Sequence, residues 1–198
     1  EHLFDFSQKF LDNEFPHCIE MARAFVQPKY QSAAGGRKAL FALDNLWDGI
    51  GGLIATDPTV KYLSGKVTIY STSPEMSRKA MVYYLDMSFG DREGLITSKN
   101  PETCTPEQAA FFKEMFTGAD YKENYAILNN YVKSLGDSIP PFIHLYIGLS
   151  PTMKTFGTTF DPDFGDCYDT AMIITTDDIY PDKYKRYVES YEKCKVRK

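Results

Sequence analysis

The chain has 198 residues, of which 43% are apolar, 15% aromatic and 25% charged, with a formal net charge of -5. A chain of this length can build a core without staples, most simply as one domain over residues 1–198, and its composition excludes collagenous, low-complexity and disordered classes. No run approaches the roughly 18 apolar residues of a membrane span, and the acidic start from Glu1 to Asp5 lacks a signal peptide's basic region, so a soluble protein is expected.

Cys18, Cys104, Cys167 and Cys194 are scattered, with no C-x-x-C pair and no Cys/His cluster. Neither a zinc site nor a disulfide framework is indicated, and a reducing cytoplasm is the simplest location. The chain does not start with Met, which suggests a fragment or a processed form. The acidic balance argues against nucleic-acid binding, but charge is unevenly spread: residues 20–80 carry +3, residues 81–182 carry -10 and residues 183–198 carry +5.

In chain order, residues 18–26 read as a strand that Pro28 ends. The segment Gln31 to Arg37 (QSAAGGR) reads as a glycine turn, and Leu43, Leu46, Trp47, Ile50, Leu53 and Ile54 then recur at helical spacing. Asp57-Pro58 stops that helix. Residues 65–71 form a second strand, followed by a helix with Ser73 as N-cap and Pro74 at its first position. Residues 90–104 read as an irregular excursion. Thr105-Pro106-Glu107-Gln108 predicts a capping box and a helix, residues 121–135 another, residues 140–149 a short apolar segment, 170–176 a strand and 182–194 a final helix. Strands alternating with helices predict an α/β or α+β class, a mixed sheet flanked by helices.

A strand running into a glycine turn and a helix start converges backbone N–H groups on one point, which suits a phosphate, with Arg37 and Lys38 adding charge. Glu20 lies between Ile19 and Met21, and burial on an apolar strand would raise its pKa toward the range that a general base uses. Arg23, three places on, falls on the opposite face unless a bulge re-aims it; it is left between holding a substrate carboxylate and bracing Glu20. On sequence alone a Glu/Arg pair is more often a structural ion pair than a catalytic couple.

His17 reads as a surface or capping residue and His144 as a core histidine. FDPDFGDCYD lacks the order of a calcium loop, because Gly165 comes one place early, so no metal is expected there. Trp47, Ile50, Leu53, Phe142, Leu145 and Tyr146 could line an acyl tunnel, but stripes at helical spacing are usually core.

The run Glu20-Met21-Ala22-Arg23-Ala24-Phe25-Val26, the following QPKYQ and the Gly35-Gly36 loop resemble the GNAT superfamily. So do LFALDNLWDGIGGLI, KVTIYSTSPEMS and IPPFIHLYIGLSPTMKTFGTTFDPDF, over roughly residues 4 to 188. Within it the chain is most similar to the hemolysin-labelled branch of acyl-amino-acid synthases, the N-acyltransferases of ornithine-lipid and glycine-lipid synthesis, and more distantly to acyl-homoserine-lactone synthases. The family's phosphate loop usually has Gly where this chain has Ala34, and the family carries opening strands ahead of this stretch, so part of its sheet is expected to be missing.

The resemblance implies a GNAT-like fold and transfer of a long fatty acyl group from an acyl carrier protein or CoA thioester to the amine of a small amino acid, making a lipid precursor. It implies no tightly bound cofactor, with acyl carrier protein or acyl-CoA as co-substrate. It also gives Glu20 and Arg23 catalytic roles and assigns Phe25, Val26, Gln31, Gly35, Gly36 and Arg37 to the acyl donor, with a Phe25 or Val26 N–H on the oxyanion. Asp161 would shape the acceptor pocket. Tyr83 or Tyr84 occupies the place of a thiolate-protonating Tyr, although core packing competes for both. An amphiphilic product leaves room for peripheral membrane contact. Two other expectations stay open: an acetyl-CoA-dependent acetyltransferase, and a non-catalytic module that binds acyl donor or lipid.

Overall fold

A computed structural model describes residues 2–23, 27–28 and 42–191. Along the chain it places β1 (Phe4–Phe6), α1 (Gln8–Asn13), β2 (Cys18–Met21), α2 (Ala42–Thr56), β3 (Tyr62–Ile69), α3 (Glu75–Phe89) and β4 (Ile96–Ser98). Then follow α4 (Pro106–Met115), α5 (Tyr121–Ser134), α6 (Pro141–Ile147), β5 (Lys154–Asp161), β6 (Cys167–Thr175) and α7 (Pro181–Tyr184), which widens into a π-helical segment, Lys185–Glu189. The class is mixed α/β with a mixed sheet, as expected.

The main sheet has the order β2-β3-β6-β5, parallel between β2 and β3 and antiparallel elsewhere. Alternation gives it two faces. On one, Leu63, Val67, Ile69, Met172 and Ile174 bury against α3, α5 and α6 in a large core that includes Met81, Leu85, Leu128 and Ile143. Gly65 lies in this packed layer because a Cβ there would stand 2.4 Å from the Tyr146 hydroxyl. The other face carries Cys18 and Glu20 of β2, Ser64 and Lys66 of β3, and Asp169, Ala171 and Ile173 of β6. A small two-stranded sheet of β1 and β4, together with α1, covers only part of it through Phe4, Phe10, Leu95, Ile96 and Phe156.

The capping box forms: Thr105 Oγ1 accepts from the Gln108 N–H at 3.2 Å, and Gln108 Oε1 accepts from the Thr105 N–H at 3.0 Å. Asp120 caps α5 in the same way, accepting from the Lys122 and Glu123 N–H groups at 2.8 and 2.9 Å. α3 starts one residue later than expected: Pro74 is the cap residue and no side chain caps the helix. The excursion over residues 90–104 is only partly irregular, since it contains β4. β2 stops at Met21, short of the expected end at residue 26, and β5 and β1 are strands that the sequence reading did not contain.

Trp47 and Tyr146 are core, edge to face at 5.8 Å, whereas Leu53 is half exposed, so the α2 stripe packs the interior as its spacing suggested. Tyr84 is fully buried in the core and donates to the Tyr121 carbonyl at 2.8 Å, whereas Tyr83 stacks on Phe116 half-buried and lines the cleft beside Glu102 and Cys104. His144, expected in the core, is exposed against Tyr125. Its side of α6 faces outward while Ile143, Tyr146 and Ile147 face in. α2 meets the C-terminal helix at Gly51, where a Cβ would stand 2.3 Å from the Tyr187 carbonyl oxygen. No helix among the described residues is long and apolar enough to cross a membrane.

Candidate active site

The half-covered face of the main sheet encloses a cavity of about 250 Å³. Its lining from the main sheet is polar: Glu20 and Cys18 from β2, Ser64 and Lys66 from β3, and Asp161 from the end of β5. Its lining from the covering elements is apolar: Phe4, Phe6, Phe10, Phe15 and Ile96. Glu20 and Ser64 are register partners across the parallel pair, and Lys66 pairs with Ala171 across the antiparallel one, so strand pairing fixes these side chains on one floor.

Of the residues singled out from sequence, Glu20 and Asp161 meet at this cavity although they are 141 positions apart. Glu20 is exposed, which corrects the expectation of burial. The reason is that β2 is an edge strand whose Cys18/Glu20 side looks onto the cavity instead of a packed layer. Asp161 is only 6% exposed and takes a hydrogen bond from the Asp163 N–H at 3.1 Å, which starts the β5–β6 turn. Arg23 is not among the lining residues: it lies beyond the end of β2, exposed, with φ +56° in the left-handed region. Phe25, Val26, Gln31, Gly35, Gly36 and Arg37, assigned to the acyl donor, lie outside the described residues.

The floor is organised by Lys66, which the sequence reading did not single out, and by Asp169, which it weighed only within the rejected calcium loop. Lys66 Nζ lies 2.8 Å from Asp169 Oδ2, and Asp169, 2% exposed, also accepts from the Thr68 hydroxyl at 2.7 Å. Burial opposes the Lys66 charge, but the hydrogen bond and attraction of Asp169, reinforced by Asp161, win and hold its pKa above the ordinary lysine value. The sheet floor therefore keeps a fixed ammonium beside two carboxylates. The available signal was Asp169 itself, a charge inside the strand CYDTAMIIT. A buried carboxylate of that kind requires a partner.

The thiols at this face are unsuited to attack. Burial, chiefly, pushes Cys18 up to about 11, and burial with the Asp169 and Asp161 charges pushes Cys167 to about 11 as well. Both stay protonated near neutrality, so neither offers a thiolate. His2, Asp161 and Asp163 bring ligand-type atoms within 4.8 Å of one another, but His2 and Asp163 are already paired at 2.8 Å and both are exposed. Two further clefts of about 350 Å³, one beside Glu102 and Cys104 and one beside Tyr121 and Tyr180, hold neither Glu20 nor Asp161.

The chain is 42% identical over 192 residues to a glycine N(alpha)-acyltransferase of Phocaeicola vulgatus, an alignment covering 97% of this chain and 59% of that protein. It is 42% identical over 193 residues to a protein of the same name from Bacteroides thetaiotaomicron, covering 96% of this chain and 56% of that protein. The chain thus spans less than two thirds of the length of these curated relatives. No family model and no solved structure matches it.

Proposed function

We propose that this chain forms part of a GNAT-type N-acyltransferase that moves a long fatty acyl group from an acyl carrier protein or CoA thioester onto the amine of a small amino acid, glycine being the acceptor in the relatives' name. The observation that carries the reading is the convergence of Glu20, Asp161 and Lys66, itself paired with Asp169, on one cavity. A small amino acid is a zwitterion, and the sheet floor of this cavity offers both signs of charge. Lys66 suits the acceptor carboxylate, and Asp161 and Glu20 suit its ammonium.

Glu20, at the solvent-accessible edge, takes the proton from that ammonium. The freed nitrogen lone pair attacks the thioester carbonyl, the C–N bond forms, the C–S bond breaks and the departing thiolate takes up a proton. The acyl group passes directly to the amine, a route that asks nothing of Cys18 and Cys167, whose raised pKa makes them poor nucleophiles. The donor's phosphates are assigned to Gln31, Gly35, Gly36 and Arg37, and the oxyanion to an N–H of Phe25 or Val26. Arg23, exposed beyond the end of β2 and outside the cavity lining, keeps the two roles open to it, holding the substrate carboxylate or bracing Glu20. The product is a lipid precursor, and its amphiphilic character gives a cytoplasmic enzyme reason to work at a membrane surface.

The test is mass spectrometry of lipids from cells expressing the gene, with Glu20→Gln as the matched control. New N-acylated glycine with the wild type alone supports the assignment. Equal product from Glu20→Gln removes Glu20 as base, and no product from soluble, folded wild type removes the reaction.

A further inference from the structure

We propose that the aromatic wall of this cavity is the binding site for the alkyl chain of the acyl group, with Phe15 as its entrance residue. The inference deepens the acyltransfer reading and rests on it for the identity of the chain. Its physical basis is separate: a cavity lined by charged side chains from its sheet floor and by phenyl rings from its cover is complementary to an amphiphile with a compact zwitterionic or anionic head and a long apolar tail.

Three rings of the lining are in contact. Phe10, 2% exposed, lies between the half-buried Phe6, on which it stacks with centroids 5.5 Å apart, and Phe15, 6.3 Å away and 60% exposed. Phe15 stands in the short 3-10 turn between α1 and β2, so the strand that brings Glu20 into the cavity begins three residues after it. A Phe exposed to this extent beside an apolar wall leaves unburied area that an alkyl chain would cover.

The location also decides between two sites. The α2 stripe that sequence spacing offered for the chain is filled by the main core, where Trp47 and Tyr146 touch each other. The space on the β1–α1–β4 side is open and adjoins the charged floor, so a chain there leaves its carbonyl carbon next to Glu20 and Lys66.

The experiment measures equilibrium binding of N-acylglycines of increasing chain length, from hexanoyl to palmitoyl, to the intact chain by calorimetry below their micellar concentrations. Wild type, Phe15→Ala, Phe15→Leu and Leu53→Ala are compared after their melting temperatures are shown to match. Affinity is expected to rise by up to about fourfold per methylene while the chain is being enclosed. That slope should flatten in Phe15→Ala, recover in Phe15→Leu and stay as wild type in Leu53→Ala, a half-exposed α2 position away from the cavity. An absent chain-length dependence, a slope unchanged by Phe15→Ala, or one lowered by Leu53→Ala overturns the assignment. Binding is read without turnover, so the two readings fail separately: transfer with a Phe15-independent slope sinks the chain site alone, and a Phe15-dependent slope without transfer sinks the reaction alone.

Discussion

Replacing Lys66 by Met tests whether the Lys66–Asp169 pair holds the cavity floor together. The substitution keeps most of the stem and removes the ammonium, leaving Asp169, 3% exposed at its side chain, with the Thr68 hydroxyl but no opposite charge at hydrogen-bond distance. Stripping one partner from a fully buried pair costs about 3–5 kcal/mol, and an exposed pair contributes about 0–1 kcal/mol. The Lys66 side chain is 43% exposed, so solvent screens it and the expected loss lies between these limits, about 2 kcal/mol. The assay is urea denaturation of wild type, Lys66→Met, Asp169→Asn and the double variant, giving a coupling energy of the same order. The pH dependence has a fixed sign. The folded-state pKa of Lys66 is raised, so its contribution is complete below the unfolded value of about 10.4 and disappears as pH climbs through the higher native value. A loss under about 0.5 kcal/mol for Lys66→Met, with additive double-variant behaviour, refutes the reasoning.

Gly51→Ala forces a Cβ to within 2.3 Å of the Tyr187 carbonyl oxygen, a backbone atom that cannot swing aside. Separation of α2 from the C-terminal helix should lower stability by about 1–3 kcal/mol, read as a fall in the denaturation midpoint. Cys18→Ser should retain transfer activity, since the wild-type thiol is protonated and the direct route needs no cysteine; loss of turnover with an intact fold would restore a covalent route. Glu93 sits between Lys9 and Lys154, and its hydrogen bonds to Lys154 and then Lys9 hold its carboxyl down at about 2. A depressed carboxylate stabilises above its unfolded pKa and loses that effect as pH falls through the native value, so acid unfolding of Glu93→Gln should be flatter between about pH 4.3 and 2. An identical acid profile for both proteins removes Glu93 as a contributor.

Local chemistry made part of this fold legible. Thr105, Pro106 and Gln108 announce α4 because a capping box is satisfied within four residues, and the α2 stripe identifies both a helix and its buried side. β1 and β4 were hidden because three residues carry no usable period, and because each strand exists only through pairing with the other. β5 was hidden by its own composition: in KTFGTTFD, Gly157 sits at φ +81° and the register shifts between Thr155 and Thr158. The sequence KVTIYS marked β3 but located it three residues too late, since Leu63 and its neighbours precede the obvious β-branched run. At the candidate site Glu20 and Asp161 were legible from resemblance. The exposure of Glu20 was not, because an apolar neighbourhood in sequence says nothing about whether a strand lies at an edge. The Lys66–Asp169 pairing escaped because 103 positions separate the two residues.

The same separation has a kinetic consequence. β3 is flanked by β2, which precedes it, and by β6, which is synthesised about a hundred residues later, with Leu63 opposite Ile174. Until β6 emerges, one edge of β3 has no native partner and the apolar side chains of Leu63, Val67 and Ile69 lack half their layer. Such distant pairings slow folding and lengthen the interval in which an unpaired strand edge can capture another chain. Lys66 likewise meets its counter-charge only after the hundred residues that follow it have been made. The cavity floor therefore cannot form before β6, and truncations that remove β6 should yield aggregation-prone chains rather than a smaller folded protein.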